Sequence, residues 1–401
     1  MNRGKISEYI FYLWLLVLPW QTKLILRGAP LNYLEISFFA SWLLLIPFLI
    51  LNLRKLKFNN WPLILFEAVA LLSVIWAQDK TLAIYHFLIL AAGGLLFFVI
   101  KKENVRNAGQ FLIAGLLAPG LLGVYQFFTQ STFASKYLGL AYHSAGTLGD
   151  VVIETSGGRF LRAYGSFDHP NILGGMMALG LLLILYLSLK KEIGRNARLF
   201  YLVSFSILYT ALLVSFSRTA ILALVLSAPF IIFKAWRRGL FQKKLIGLFI
   251  FLTIFISAAI VIPYNDLFLV RTQTTSRLEN KSISERELYL KQAESLIIKK
   301  PIQGVGIGNY TLAVAYADNH TNPWWYYQPV HNYWLLAWGE VGIFGLIAIL
   351  LFWFGVFFKK NVWPIGLALV ILSLFDHWLW TQSIGILVFF LLVALLNSDK
   401  S

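Results

Sequence analysis

LFYLVSFSILYTALLVSFSRTAILALVLSAPFIIF, residues 199–233, decides how this chain is read. The run is 35 residues long and carries one charge, Arg218. A bilayer core is crossed by about 20 helical residues, so the run is too long for one span and right for two. Arg198 precedes it and Lys234 follows it, so both ends belong in water on the same side. Arg218 then falls at the turn of a helical hairpin, at the opposite face. A guanidinium held there between apolar spans needs an anion to meet it, and an ionisable group so embedded marks a functional site by default.

The rest of the chain has the same character. It is 401 residues long, 59% hydrophobic, with a mean hydropathy of +0.71, which excludes an ordinary soluble protein. Apolar blocks of spanning length recur at about 8–26, 33–51, 61–77, 82–100, 108–128, 170–189, 199–216, 219–233, 245–263, 331–357, 361–375 and 378–396. The expected fold is an all-α polytopic membrane protein of about twelve transmembrane helices, with both termini cytoplasmic and one large helical outer loop. Residues 1–263 would hold helices one to nine with an outer loop at 129–168. Residues 264–330 would form the large periplasmic or extracellular loop, and residues 331–401 helices ten to twelve. The N-terminal apolar run lacks a small-residue cleavage site and is read as a retained first helix.

Charge sets the orientation. With the N-terminus inside, the inner segments hold Arg3, Lys5, Arg54, Lys55, Lys57, Lys101, Lys102, Arg106, Lys190, Lys191, Arg195, Arg198, Lys234, Arg237, Arg238, Lys243, Lys244, Lys359, Lys360 and Lys400. The short outer connections hold only Lys23, Arg27, Lys80 and Arg218. The net charge of +16 is mostly this asymmetry, with basic inner loops also facing anionic lipid. Nucleic acid is not an expected partner, because no soluble basic domain exists to bind it. With no cysteine there is no disulfide or thiolate metal site.

Two outer segments carry the polar chemistry. The first, 129–168, is rich in Gly, Ser and Thr, contains Arg159 and Arg162, and ends in Gly165-Ser-Phe-Asp168-His169-Pro170-Asn171 followed by Gly174-Gly175. Asp168 is expected as an N-cap with Pro170 in the first turn, and the glycines permit close helix packing. His169 and Asn171 can also face an outward cavity. In the second segment, Ser284-Glu285-Arg286-Glu287 reads as a capping box, opening a helix that stops before Pro301. Its apolar stripe would be Leu290, Ala293 and Ile297, flanked by Tyr289 and Leu296, which puts Arg286 on the buried face.

Gly304-Val-Gly306-Ile-Gly308-Asn309 follows. Such a loop can cradle phosphate through backbone N–H groups, or it can be a plain return to the membrane. Pro323-Trp324-Trp325-Tyr326-Tyr327 reads as an interfacial anchor or a sugar-stacking surface. His331-Asn332 opens the next helix, and His331 is the residue type suited to general-base work at neutral pH. Glu67, His86, Asp376 and His377 receive no role.

These pieces together resemble the bacterial O-antigen ligase and polymerase superfamily. The similar stretches are Ser215-Phe-Ser217-Arg218, Arg286 with Pro301 and Gly304-Val-Gly-Ile-Gly-Asn309-Tyr310 behind it, His331-Asn332 followed by Glu340-Val-Gly342, and Phe167-Asp-His169-Pro-Asn171 upstream. The resemblance implies an enzyme that takes a glycan from an undecaprenyl-pyrophosphate carrier outside the plasma membrane. It would transfer that glycan to an acceptor hydroxyl: lipid A-core sugar in ligases, another repeat unit in polymerases, a protein in related oligosaccharyltransferases. It also implies no metal, nucleotide or other cofactor, and puts the catalytic roles on Arg218, Arg286 and His331. Arg159, Arg162, His169, Asn171, Arg277 and Asn332 are the candidate substrate-binding residues around them.

The chemistry of the side chains agrees with that assignment. Arginine grips phosphate bidentately and keeps its proton, so two arginines would neutralise charge on a departing diphosphate. His331 would take the acceptor proton as C1 of the sugar is attacked, inverting the anomeric centre. No Asp-x-Asp occurs, so a metal-dependent nucleotide-sugar transferase has no support. The rival from another class is a lipid-linked glycan flippase, which calls for two related halves that this chain lacks. The enzyme reading requires that neighbouring carboxylates do not cancel the guanidinium groups in a site with no hollow beside it.

Overall fold

The computed structural model describes residues 3–100, 105–189, 193–240, 242–272, 277–357 and 363–398. Of the basic residues used for orientation, Lys101, Lys102, Lys190, Lys191, Lys359, Lys360 and Lys400 lie outside them. The chain is mostly helical, about 71%. In chain order the helices are α1 (Arg3–Val17), α2 (Trp42–Asn52), α3 (Trp61–Ser73), α4 (Lys80–Val99), α5 (Val105–Thr129), α6 (Pro170–Ser188), α7 (Arg195–Val214), α8 (Arg218–Arg237), α9 (Lys243–Val261), α10 (Asn265–Thr272), α11 (Arg277–Lys299), α12 (Tyr310–Ala317), α13 (Tyr333–Phe357), α14 (Trp363–Phe375), α15 (Trp378–Thr381) and α16 (Ser383–Ser398).

Among the described residues, seven helices are long and apolar enough to cross a membrane: α4 to α9 and α13. Helices α2, α3, α14 and α16 are apolar but shorter. Helix α6 sits at the centre, packed on α5, α7, α8 and α14 and buried along nearly its whole length. A helix apolar all round has no face to give to water, which is why it takes this place. Glycines let its neighbours come close. A Cβ on Gly174 would meet Ser217 at 2.5 Å, and one on Gly175 would meet Trp378 at 2.6 Å. At the rim, α9 leaves Ile250, Phe251, Ile254 and Phe255 exposed, an apolar surface suited to lipid.

Several expected boundaries are corrected. The first two apolar blocks are not unbroken spans. Helix α1 ends at Val17, and the next residues form a hairpin of β1 (Lys23–Arg27) and β2 (Ile36–Phe39), closed by a Lys23–Glu35 ion pair at 2.8 Å. Leu24, Ile25 and Leu26 keep hydropathy high here while standing exposed on a strand. The first outer segment, expected as a loop, carries two short strand pairs. It pairs β3 (Ser131–Thr132) with β4 (His143–Ser144), and β5 (Val152–Thr155) with β6 (Gly158–Leu161). The block 331–357 is broken at Gly342, whose φ of 71° no helix accommodates, and Gln382 separates α15 from α16.

The large loop is helical, as α10, α11 and α12, but Ser284-Glu285-Arg286-Glu287 lies inside a helix and is not an N-terminal capping box. Helix α11 starts at Arg277, and Ser284 bonds back to the Lys281 carbonyl inside it. Its buried face is Glu279, Tyr289, Ala293, Leu296 and Ile297, while Leu290 is exposed. Arg286 still shares that face, three residues before Tyr289.

Candidate functional site

The α7–α8 turn is Ser215-Phe216-Ser217, with Phe216 at φ 50°, a left-handed conformation uncommon for a bulky residue. Arginines hold two of its buried carbonyls. Arg162 Nε donates to Ser215 O at 2.8 Å, and Arg271 donates to Phe216 O at 3.3 Å. The turn therefore projects Arg218, the first residue of α8, from a braced frame. Gln126 of α5 fixes the approach to it, accepting the Tyr164 and Gly165 N–H groups at 2.9 and 2.8 Å.

Arg218 is not a bare cation. Its guanidinium lies 3.2 Å from Glu279 and donates to the Arg271 carbonyl at 2.8 Å, and Arg271 makes an ion pair with the other Glu279 oxygen. That departs from an arginine with nothing anionic against it. Yet Glu279 is one carboxylate facing Arg218 and Arg271, with Arg162 and Arg286 in electrostatic range of Arg271. Four guanidinium groups against one carboxylate leave the cluster strongly cationic. Burial and the charge of Arg271 pull the Arg162 pKa down from its ordinary value, but its donated bonds need N–H groups and arginine does not deprotonate in proteins.

A hydrogen-bonded line runs from this cluster to the histidines. Arg162, 5% exposed, donates to Asn171 Oδ1 at 2.7 Å, and Asn171 Nδ2 donates to Asp376 Oδ2 at 2.9 Å. The other Asp376 oxygen accepts the His377 N–H at 2.8 Å and faces His331 Nδ1 at 3.7 Å, a distance of charge attraction rather than a hydrogen bond. His331 Nδ1 is buried and has no hydrogen-bond partner among the described residues. The His331 ring lies 5.1 Å from that of His377 and 6.1 Å from that of Tyr289, one turn beyond Arg286 on α11. Burial alone would raise the Asp376 carboxyl, but the imidazoles of His331, His377 and His169 around it leave it well below the usual carboxylate range.

The remaining candidates take supporting places. His169, not Asp168, caps α6, its Nδ1 accepting the Asn171 N–H at 3.0 Å. Asn332 Oδ1 accepts the Trp334 and Leu335 N–H groups, and its amide reaches Leu374 O at 3.1 Å, so it seats His331 beside the α14–α15 turn. Arg277 pairs with Glu154 of β5 at 3.1 Å with its side chain 73% exposed, and Arg159 faces Glu154 across the hairpin. Neither touches the line from Arg162 to His331. The glycine-rich loop is not a phosphate cradle. Its N–H groups are consumed by Gly339 O, Glu340 O, Ser73 Oγ and the Glu340 carboxylate, which also accepts from Trp380 at 2.7 Å. Tyr327 of the aromatic run is buried on Asp318, whereas Trp325 is exposed.

Sequence reasoning missed Arg271, Glu279, Asn171's link and Asp376. Only Asp376-His377, an ionisable pair between two apolar blocks, offered a signal. His331, Asp376 and His377 could together hold a metal ion, each offering one ligand atom with the three within 4.8 Å of one another, where no metal ligands were expected. Two imidazoles and a carboxylate suit a borderline divalent metal, but His377 Nδ1 already engages Thr381 at 2.9 Å. A narrow cleft, partly open to solvent and with room for little more than a water molecule, lies among Tyr33, His86, Tyr310, Glu340 and Trp380. It contains none of the arginines, of which Arg218 is 46% exposed while Arg162 is buried and Arg271 largely so.

The fold and site define a multi-pass helical membrane protein with a surface cluster of arginines joined to a histidine–carboxylate pair. Residues 200–350 match the family model described as O-Antigen ligase. That segment carries Arg218, Arg271, Arg286 and His331, so the similarity to this family falls on the arginine cluster and the histidine. No curated protein matches the chain.

Proposed function

We propose that the protein transfers a glycan from undecaprenyl pyrophosphate to an acceptor hydroxyl on the outer face of the plasma membrane, without a metal and with inversion at C1. The observation that carries this reading is the excess of guanidinium groups around Glu279, joined through Arg162, Asn171 and Asp376 to His331. Arg218, Arg286 and their neighbours hold the donor's diphosphate. A neutral His331 that directs Nδ1–H toward Asp376 leaves Nε2 to accept the acceptor's proton. The acceptor oxygen forms its bond to C1 as the C1–O bond to phosphate breaks, and the electron pair leaves on the diphosphate. Preorganised cations already on the diphosphate gain further attraction as the departing group takes on negative charge, so they stabilise the transition state more than the ground state.

The acceptor is a lipid A-core sugar or related surface glycan in this reading. Polymerase and protein O-oligosaccharyltransferase activities share the same donor chemistry and differ only in the hydroxyl that attacks. Twelve spans with both termini cytoplasmic complete the proposal. The positive-inside balance supports this orientation, and so do the ring contacts of Phe127 near the end of α5 with Tyr264 and of Phe216 just after α7 with Phe268.

Purified protein in nanodiscs, supplied with undecaprenyl-pyrophosphate glycan, acceptors and a chelator, tests it. Transfer should continue with the chelator and fall at least about 100-fold in His331→Ala/Arg218→Ala. Transfer surviving in that double variant overturns the site assignment. Loss on chelation overturns the metal-free step and makes His331, Asp376 and His377 a metal centre.

A further inference from the structure

Glu279 stands out once the arginines are assigned a diphosphate. Its side chain is 8% exposed, and each carboxylate oxygen faces a different arginine, Arg271 and Arg218. A carboxylate bridging two guanidinium groups makes the same charge-assisted contacts that a phosphate would. Arg271 is itself unfinished. Its Nε is buried without a hydrogen-bond partner among the described residues, although its terminal nitrogens engage Glu279 and Phe216 O. A buried donor left unmade is costly, and such a group in a native structure calls for a missing acceptor.

Resting on the reading above, we propose that Arg271 is a further diphosphate-binding residue, and that Glu279 occupies the diphosphate's place until the donor arrives. A lipid-linked sugar diphosphate carries two negative charges where Glu279 carries one. It would take over Arg218 and Arg271 and supply the acceptor that Arg271 Nε lacks. After transfer the free carrier diphosphate is more negative still and would cling to four guanidinium groups. Glu279 opposes this by competing for the same arginines, so it lowers affinity for donor and product alike and speeds release. Its position near the start of α11 lets the first turns of that helix swing away and return, with Glu154–Arg277 as the neighbouring tether.

The test is binding of inorganic pyrophosphate to the purified full-length protein by titration calorimetry, beside donor KM in the transfer assay. Glu279→Gln should bind pyrophosphate about tenfold more tightly and lower the donor KM by a similar factor, since one competing charge–charge contact is removed. Arg271→Gln should bind about tenfold more weakly, and the gain from Glu279→Gln should shrink in the double variant, where only the Arg218 contact is left to release. A residue that merely held the loop together would not tighten binding on removal. Should Glu279→Gln not fold, hydrogen exchange on the wild-type protein takes its place: pyrophosphate should speed exchange in the first turns of α11, and unchanged exchange there overturns the proposal. Equal or weaker pyrophosphate binding by Glu279→Gln also overturns it. If transfer depends on His331 while both variants leave affinity unmoved, this inference falls alone. If the wild type neither binds pyrophosphate nor transfers glycan, the functional reading falls with it.

Discussion

His331, the proposed base, and its partners give the sharpest tests. Asp376 lies 3.7 Å from an imidazole nitrogen with no other partner, so its charge fixes which tautomer His331 presents. Asp376→Asn keeps the shape and removes that charge. We expect kcat to fall about tenfold to a hundredfold with donor KM little changed, and the pH–rate profile to move, because a positioning group acts through the base. A variant that raised only KM would move Asp376 to a binding role. His169 gives a second test. Burial, then Arg162, pushes its pKa down to about 3 from an ordinary value near 6.5, which keeps Nδ1 unprotonated and able to cap α6. The unfolded chain therefore binds a proton that the native state refuses. Stability should be full above about pH 6.5 and fall as pH drops from there toward 3. Thermal melts should show that slope, and His169→Asn, which caps without titrating, should flatten it; an unchanged slope would contradict the assignment.

At the scale of elements, the glycines decide how closely the working parts approach. Gly308 sits at φ 72°, and a Cβ there would fall inside the His86 ring's surface. Gly308→Ala should cost about 1–3 kcal/mol of stability, read as a lower melting midpoint. It should leave pyrophosphate affinity unchanged, because the loop's N–H groups already bond to Glu340, Ser73 and Gly339. A fall in affinity with no loss of stability would restore the cradle reading.

The same elements show what a sequence can carry. Arg218 is legible because one charge in 35 apolar residues has nowhere ordinary to be. Arg271 and Glu279 are not, since within a polar loop every charge looks solvated until the fold brings two of them together. The partner that empties the glycine loop of free N–H groups, Glu340, lies about 30 residues on, beyond the reach of any local pattern. The β1–β2 hairpin was hidden for the opposite reason. Leu24, Ile25 and Leu26 keep the window apolar, and hydropathy alone cannot tell a strand lying exposed from a helix crossing lipid.

For the whole molecule, introduced thiols and the fate of the carrier test orientation and reaction class. The absence of native cysteine makes single introduced thiols clean reporters. In intact cells a membrane-impermeant maleimide should label Ser284→Cys on α11 and spare Arg237→Cys at the end of α8; the reverse pattern would invert the protein in its membrane. The central claim, that the arginine–histidine site cleaves and transfers rather than moves a lipid-linked glycan, is tested most directly in proteoliposomes holding undecaprenyl-pyrophosphate glycan and acceptor. The account predicts one undecaprenyl pyrophosphate formed for each glycan joined to acceptor. Carrier found in the opposite leaflet with its glycan still attached, and no glycosylated acceptor, would contradict it.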